Sequence, residues 1–461
     1  MNETQAKRRI MMSTLLLYFS LFALPLSSLR LNIETKVLDN GLTVVVVEDT
    51  SNPLVSVQVW YRVGSRNEVT GLTGISHMLE HMMFKGTERL KPEEYSEIVQ
   101  RNGGTENAFT SEDKTVYWSE LPSDRLELAL DLESDRMANA VFREFDSERK
   151  VVMEERKWRT ENSPWGSLYE ALRAAAYIAH PYHNPVIGWM SDIESYTLED
   201  LERHYHTYYV PNNAVLVISG DVKADEAFKL ARKYFGKIKK GKTPPPVRTV
   251  EPEQRGERRV IVEKEGYTSM LAIAYHIPSF TDPDFPALYV LSYILGAGKG
   301  CLLNRVLVEE RELATSAYCF AMQSIDPGLF YIFAVPQRGV DTDSLEEAIF
   351  SLLDTLKEKG PGAFDLERAL NVALSDEISG LQSVIGKGYG AGQFALVGDP
   401  GMVNEWPEKL ASVKAEDVKD VAQKYFREQN RTVAVLKPIP PANPEEYMKK
   451  MEEGSKKKFR R

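Results

Sequence analysis

The sequence predicts an α+β protein of two homologous domains, each a mostly antiparallel or mixed sheet packed with helices. Three observations support this: strand and helix patterns are mixed along the chain, a charged, proline-rich stretch divides it, and one helix–turn–strand pattern occurs in both halves. The 461 residues suffice for several domains. A composition of 43% hydrophobic and 27% charged residues excludes wholesale disorder.

The first half combines a hairpin with amphipathic helices. Lys36–Val47 contains two apolar runs around an Asp-Asn-Gly turn, which predicts two paired strands. Alternation of apolar and polar residues predicts a third strand at Val55–Val63. The same patterns predict helices at Gly74–Phe84, Lys91–Asn102, Asp124–Ala140, Asp146–Glu161, Leu198–Tyr209 and Ala224–Ile238, and strands at Thr115–Glu120 and Ala214–Ser219.

A linker separates the halves. Lys239–Arg258 is rich in charge and proline without a periodic apolar face, which is typical of an extended linker, and a new strand is predicted at Arg259–Glu263. We expect a first domain at 31–240, a linker at 241–258 and a second domain at 259–440.

The two domains resemble an internal duplication. Glu199–Ile218 can be overlaid on Glu416–Leu436 at one constant offset, and each copy reads as a helix, a polar turn and an apolar strand. The overlay pairs Asp200 with Asp417, Tyr208 with Tyr425 and Asn213 with Asn430. A chance likeness between two helix–turn–strand units is the alternative.

The first 30 residues have the pattern of a segment that directs export. Three basic residues at 7–9 precede Ile10–Leu29, which carries no charge, and this pattern predicts a secretory signal or an uncleaved membrane anchor within residues 1–30. We therefore expect an exported, periplasmic or otherwise extracytoplasmic protein, either soluble or attached to a membrane through residues 10–29. At the other end, residues 441–461 form a charged tail that we expect to be solvated.

Charge and cysteine content restrict the function classes. A net charge of -10 argues against a general nucleic-acid binder. Cys301 and Cys319 are the only cysteines, so a disulfide scaffold and a thiolate zinc site are both excluded. Any metal must therefore be held by histidine and carboxylate side chains.

His77-Met-Leu-Glu80-His81 is the most informative motif. On a helix, residues four apart lie one above the other, so the two imidazoles can converge on one ion. Glu80 projects beside them and can take a proton from a water that zinc has acidified. The alternative is a pair of hydrogen-bonded histidines on a partly buried helix.

This motif and the residues after it, HMLEHMMFKGTE, resemble the signature of the pitrilysin, insulysin and mitochondrial processing peptidase family, in its two-domain, processing-peptidase-like branch. The resemblance implies a glutamate as third zinc ligand, on a later helix with a second glutamate seven residues earlier. Glu155 matches the ligand and Glu148 matches the supporting carboxylate, two helical turns apart. Glu154 is the nearest rival, but it would point about 100° away around the helix.

The resemblance also implies substrate contacts in the first half. Gly103–Thr110 is similar to the family segment along which the substrate adds as a strand, with Asn107 and Ala108 in contact with it. An ordinary strand after a Gly-Gly turn is the alternative. Phe84, next to the metal motif, is expected either to line a side-chain pocket or to belong to the core.

In the second half, Gly296–Tyr318 resembles the family's glycine-rich turn, helix and Arg-x6-Tyr element. Arg311 and Tyr318 match the arginine and tyrosine that contact substrate near the scissile bond. The residues before the tyrosine, Thr-Ser-Ala, depart from the usual Gly-Leu-Ala, so the backbone geometry is less well defined there. A surface arginine and a buried tyrosine are the alternative.

The resemblance implies a zinc endopeptidase with one Zn²⁺ per chain that cleaves short or unfolded peptides in a closed chamber. Two chains would face each other as a homodimer, and the second half, which has no copy of the motif, would be non-catalytic. Two alternatives stay open: a structural or assembly subunit of the same family, and a member that binds peptides without cutting them.

Overall fold

Two sheets organise the protein in the computed structural model, which describes residues 30–445. The first sheet has six strands in the order β1-β2-β6-β3-β5-β4, and the second has five in the order β7-β11-β8-β10-β9. Their bounds are β1 Asn32–Val37, β2 Thr43–Glu48, β3 Leu54–Tyr61, β4 Thr105–Thr110, β5 Thr115–Pro122, β6 Ala214–Gly220, β7 Arg258–Glu265, β8 Met270–Ile277, β9 Ala314–Ala321, β10 Gly328–Pro336 and β11 Arg431–Ile439.

Helices pack on both sheets. Those in the first half are α1 Ile75–Met82, α2 Glu94–Arg101, α3 Leu126–Asn139, α4 Phe145–Arg156, α5 Pro164–Ala176, α6 Met190–Ser195, α7 Leu198–Tyr208 and α8 Ala224–Phe235. Those in the second half are α9 Phe285–Gly296, α10 Thr342–Lys359, α11 Ala363–Gly380, α12 Val384–Ala395, α13 Met402–Ala411 and α14 Ala415–Tyr425. Each helix and strand predicted in the first half is present, with ends displaced by a few residues. The largest difference is at α4, whose last predicted turn is a π-helical turn, Lys157–Glu161.

The sheets have the same topology. The order β2-β6-β3-β5-β4 corresponds strand by strand to β7-β11-β8-β10-β9, and β1 is an addition to the first sheet. Each sheet has one parallel pair at the corresponding place, β2 with β6 and β7 with β11. The predicted fold class, two homologous α+β domains, is confirmed.

The overlaid helix–turn–strand units repeat a hydrogen bond as well as a pattern. Asn213 Nδ2 donates to the carbonyl of Tyr208 at 2.9 Å, and Asn430 Nδ2 donates to the carbonyl of Tyr425 at 2.8 Å. In both copies the asparagine closes the turn between the helix (α7 or α14) and the strand (β6 or β11). The residues paired in the sequence overlay are therefore equivalent in the structure.

The two halves exchange a helix. α5 belongs to the first half but packs on β7, β8 and β11 of the second sheet, where Leu168 and Leu172 are fully buried. In return, α12 of the second half packs on β2, β3 and β6 of the first sheet, where Ala391 and Ala395 are buried. Each sheet therefore has one face covered by its own half and one face covered by the other half.

The remaining predicted segments are the linker, the leader and the tail. Residues 239–257 contain neither helix nor strand and connect the two sheets. The domain bounds 31–240 and 259–440 stay predictions. The predicted leader up to residue 29 and the tail beyond 445 lie outside the described residues. Within residues 30–445, no helix has the length and apolar character needed to span a membrane.

Candidate metal centre

A buried carboxylate fixes the start of α1. Glu68 accepts hydrogen bonds from the backbone N–H of Gly74, at 2.7 Å, and from that of Ser76, at 2.8 Å. These are N–H groups at the start of the helix, where a carboxylate is favourable. Burial raises the pKa of Glu68 to about 8, against the effect of these two bonds. Gly74 has a φ of 83°, and a Cβ there would lie 2.2 Å from the carbonyl oxygen of Ile187. The sequence analysis did not identify Glu68.

α1 and α4 bring three candidate ligands together. His77 and His81 lie one turn apart on α1, with ring centroids 4.8 Å apart. Glu155 of α4 places Oε2 3.9 Å from His77 Nε2 and 3.3 Å from His81 Nε2. One ligand atom from each residue lies within 4.8 Å of the others. The triad predicted from the sequence is thus assembled around one point.

The donor set fits a metal ion. Glu155 Oε2 is buried and faces the Nε2 atoms of His77 and His81 without a well-aligned hydrogen bond to either. A buried carboxylate oxygen is costly without a cation, and a metal ion held among these three atoms would supply one. Burial lowers the pKa of His77 to about 3, so this imidazole is neutral and able to donate an electron pair. Two imidazole nitrogens and one carboxylate oxygen are a ligand set that zinc accepts.

Glu148 supports the second histidine. Its Oε1 lies 2.9 Å from His81 Nδ1, and its Oε2 lies 3.0 Å from Lys85 Nζ. A hydrogen bond to Nδ1 fixes the ring orientation and leaves Nε2 directed at the metal position. Burial of His81 opposes its protonation, but Glu148 and Glu155 outweigh burial and raise the pKa of His81 to about 9. A metal ion bound at this position would therefore take the place of the proton on Nε2.

Glu80 lies beside the triad but is not part of it. Its Oε2 accepts a hydrogen bond from Thr110 Oγ1 at 2.5 Å. Burial raises the pKa of Glu80, which makes its carboxylate a stronger base. The sequence analysis placed Thr110 at the end of the segment Gly103–Thr110 but did not predict its contact with Glu80, which is 30 residues away in the chain.

Glu154, the rival to Glu155, points away from this group. Its side chain is 72% exposed and pairs with Lys157 Nζ at 2.7 Å, whereas the side chain of Glu155 is 6% exposed. The difference follows from the rotation between adjacent residues on a helix.

Two of the three predicted substrate-binding residues of the first half, Asn107 and Ala108, lie on the edge strand β4. Among the described strands β4 pairs only with β5, and Asn107 is exposed on it, with its Oδ1 accepting a hydrogen bond from Ala108 N at 2.8 Å. Ala108 and Phe84 are half-buried against the first-half core. The Phe84 ring lies 6.5 Å from Tyr95 and 6.2 Å from Tyr117, so it is packed among aromatic rings.

Arg311 and Tyr318 are the predicted substrate-binding residues of the second half, and they belong to the second domain. Arg311 is exposed at the end of the π-helical turn Asn304–Glu310. Tyr318 is 40% exposed on the edge strand β9, with its ring 5.8 Å from Trp165 and 5.1 Å from Phe333. Within the described part of the chain, the structure does not bring either residue into contact with the triad.

Comparison with known families identifies the class of protein. The family model described as Insulinase (Peptidase family M16) matches residues 43–189, and the model described as Peptidase M16 inactive domain matches residues 195–372. The two matches cover more than half of the chain. The chain belongs to peptidase family M16, as its motifs predicted.

Individual relatives are similar over nearly the whole length. The zinc protease PqqE of Helicobacter pylori is 36% identical over 88% of this chain and 93% of its own. A probable mitochondrial-processing peptidase subunit beta of Arabidopsis thaliana is 30% identical over 88% of this chain and 79% of its own. The crystal structure of a protease from Helicobacter pylori has a TM-score of 0.86 and 36% identity, covering 88% of this chain and all of that one.

Proposed function

We propose that this chain is a zinc-dependent endopeptidase that cleaves short or unfolded peptides in a closed chamber. The observation that carries the proposal is the convergence of His77, His81 and Glu155, with the buried Glu155 Oε2 facing the Nε2 atoms of both histidines. The relatives named as zinc proteases support the choice of metal. The proposed stoichiometry is one Zn²⁺ per chain.

Each residue has a distinct role in this proposal. His77, His81 and Glu155 would hold the zinc ion, which when bound would supply a Lewis acid for acidifying water and polarising a carbonyl. Glu80 accepts the proton of the attacking water and then delivers it to the leaving amine. Glu148 orients His81 through Nδ1.

The substrate is proposed to add to β4 as an extended strand. No strand within residues 30–445 pairs with the outer edge of β4, and main-chain hydrogen bonds along such an edge make little demand on sequence. This agrees with a preference for unfolded peptides, because a folded segment cannot present an extended backbone. Asn107 and Ala108 are the proposed contacts, with Arg311 and Tyr318 approaching the scissile bond from a second half.

Glu80→Gln tests the mechanism. We expect it to retain about one zinc per chain and to lose about 10²-fold or more of its turnover, because an amide cannot accept the proton. His77→Ala should lose both zinc and turnover. Glu154→Gln is the matched control and should keep both. Full activity of the Glu80 variant on an unstructured peptide library would contradict the mechanism. A wild type that holds zinc and binds peptides without cutting them would indicate the peptide-binding alternative.

We also propose a homodimer acting outside the cytoplasm. One chain carries both the zinc motif and Arg311 with Tyr318, so two copies can supply every element of a chamber through a symmetric interface. The uncharged stretch Ile10–Leu29 after basic residues supports export. Sedimentation of a chain begun at Leu31 tests the assembly, and a fully active monomer would contradict it.

A further inference from the structure

The turn that follows Glu155 carries an arginine that the proposed mechanism does not use. Arg159 lies in the π-helical turn Lys157–Glu161, and its Nε is 3.0 Å from Glu155 Oε1. Its side chain is 61% exposed, whereas that of Glu155 is 6% exposed. The two oxygens of Glu155 therefore differ: Oε1 faces a guanidinium, and Oε2 faces the two imidazoles.

The backbone at Arg159 is tightly fixed. A Cβ at Gly166, in the first turn of α5, would lie 2.0 Å from the carbonyl oxygen of Arg159, so no larger residue fits there. Ser167 Oγ donates to the carbonyl of Thr160 at 2.8 Å. Lys264 of β7 in turn donates to Ser167 Oγ at 2.9 Å. The exchanged helix and the second sheet thus hold the turn from which Arg159 reaches Glu155.

We propose that Arg159 is a positioning residue that holds Glu155 as a one-oxygen metal ligand. The inference rests on the proposed zinc site. A carboxylate without a second partner can rotate and present either oxygen or both. A guanidinium on Oε1 fixes the plane of the carboxylate and directs Oε2 to the imidazoles. Arginine is suited to this task, since its planar donor group stays charged at every relevant pH.

A purely structural role makes a different prediction. Arg159 is exposed but Glu155 is buried, so loss of the guanidinium leaves Oε1 without this partner and costs folding stability in either case. If Arg159 served stability alone, its loss would lower the melting temperature of the metal-free protein and leave zinc affinity unaltered. A positioning role predicts weaker zinc binding, whatever the change in melting temperature. The two roles therefore separate in one pair of measurements.

The experiment compares Arg159→Gln with Lys157→Gln in the full chain. Lys157 is in the same turn, and its substitution removes the same charge, but its nearest partner is Glu154, at 2.7 Å. Zinc affinity is measured by competition with a chromophoric chelator, and the melting temperature of the metal-free protein by calorimetry. We expect Arg159→Gln to weaken zinc binding about 10-fold or more, the range for loss of a ligand's partner. Lys157→Gln should bind zinc as the wild type does.

Arg159→Lys refines the test, because an ammonium can reach Oε1 but cannot fix the carboxylate plane; it should recover part of the lost affinity. Equal zinc affinities for Arg159→Gln and Lys157→Gln would overturn the role of Arg159 and leave the proposed function intact. A wild type that binds no zinc would overturn both.

Discussion

Leu172→Ala tests the exchange of α5 between the halves. Leu172 has no exposed surface and lies in a cluster with Ala272, Tyr331 and Leu436 of the second sheet. Truncating a buried leucine removes its transfer free energy and leaves a cavity, at a cost of about 2.7–5.0 kcal/mol in measured series. The surroundings of Leu172 have little freedom to collapse, since α5 lies between the first-half turns and the second sheet. We therefore expect a loss of about 3–4 kcal/mol, a large part of the roughly 5–15 kcal/mol of a typical domain.

The assay is urea unfolding together with hydrogen exchange. Ile178→Ala is the control: Ile178 is just beyond α5 and 63% exposed, so its truncation should cost less than about 0.5 kcal/mol. Exchange should accelerate in β8, although Leu172 belongs to the other half of the chain. The reasoning is refuted if Leu172→Ala costs no more than Ile178→Ala, or if exchange in β8 does not change.

Three further predictions concern single carboxylates and their partners. Glu155→Gln should weaken zinc retention more than Glu154→Gln, measured by metal analysis after dialysis, because only Glu155 faces the histidines. Thr110→Val should lower turnover about 10- to 100-fold at unchanged zinc content, because this is the rate equivalent of losing one hydrogen bond to a charged group. Thr110→Ser keeps the hydroxyl and should restore the turnover. Glu251→Gln should destabilise the protein at neutral pH, and the difference from the wild type should shrink as the pH falls below the ordinary value of 4.5.

The direction of the pH dependence predicted for Glu251→Gln follows from the contacts of Glu251. Burial opposes ionisation, but N–H groups of residues 178–180 donate to this carboxylate at 2.9 Å and hold its pKa below the ordinary value. A lowered pKa stabilises the fold above the unfolded value, and this contribution is lost as the pH falls through the folded pKa. If the stability difference between Glu251→Gln and the wild type grew on acidification, the assignment of a lowered pKa to Glu251 would be wrong. Loss of zinc from Thr110→Val would contradict a role for Thr110 that is confined to Glu80. Greater zinc loss in Glu154→Gln would contradict the assignment of Glu155.

The residues found from sequence share one property: they are encoded locally. His77 and His81 are four apart on one helix, and Glu148 and Glu155 are seven apart on another, so helical geometry alone places each pair on one face. Most strands and helices of the first half were predicted for the same reason, since apolar periodicity is a local signal, but α5 and α6 were not predicted.

The residues that sequence reasoning missed act through contacts that periodicity cannot encode. Thr110 meets Glu80 across 30 residues, and Glu68 reaches α1 from an irregular segment. The π-helical turn that carries Arg159 was predicted as a plain continuation of α4. The sequence analysis did not predict α5, and an amphipathic pattern would not have shown that this helix packs on the second sheet.

The exchange of helices gives a physical reason for a second half without a zinc motif. α12 covers the face of the first sheet opposite α1, and it approaches so closely that a Cβ at Gly392 would lie 2.4 Å from Trp60 Cε2. From the second sheet, Lys264 braces the turn after Glu155. The first half therefore lacks one face of its sheet and one support of its metal-ligand helix unless the second half is present. Substitutions in the second half can thus weaken the metal site without any contact to a ligand, because they act on the surfaces that hold α1 and α4 in place.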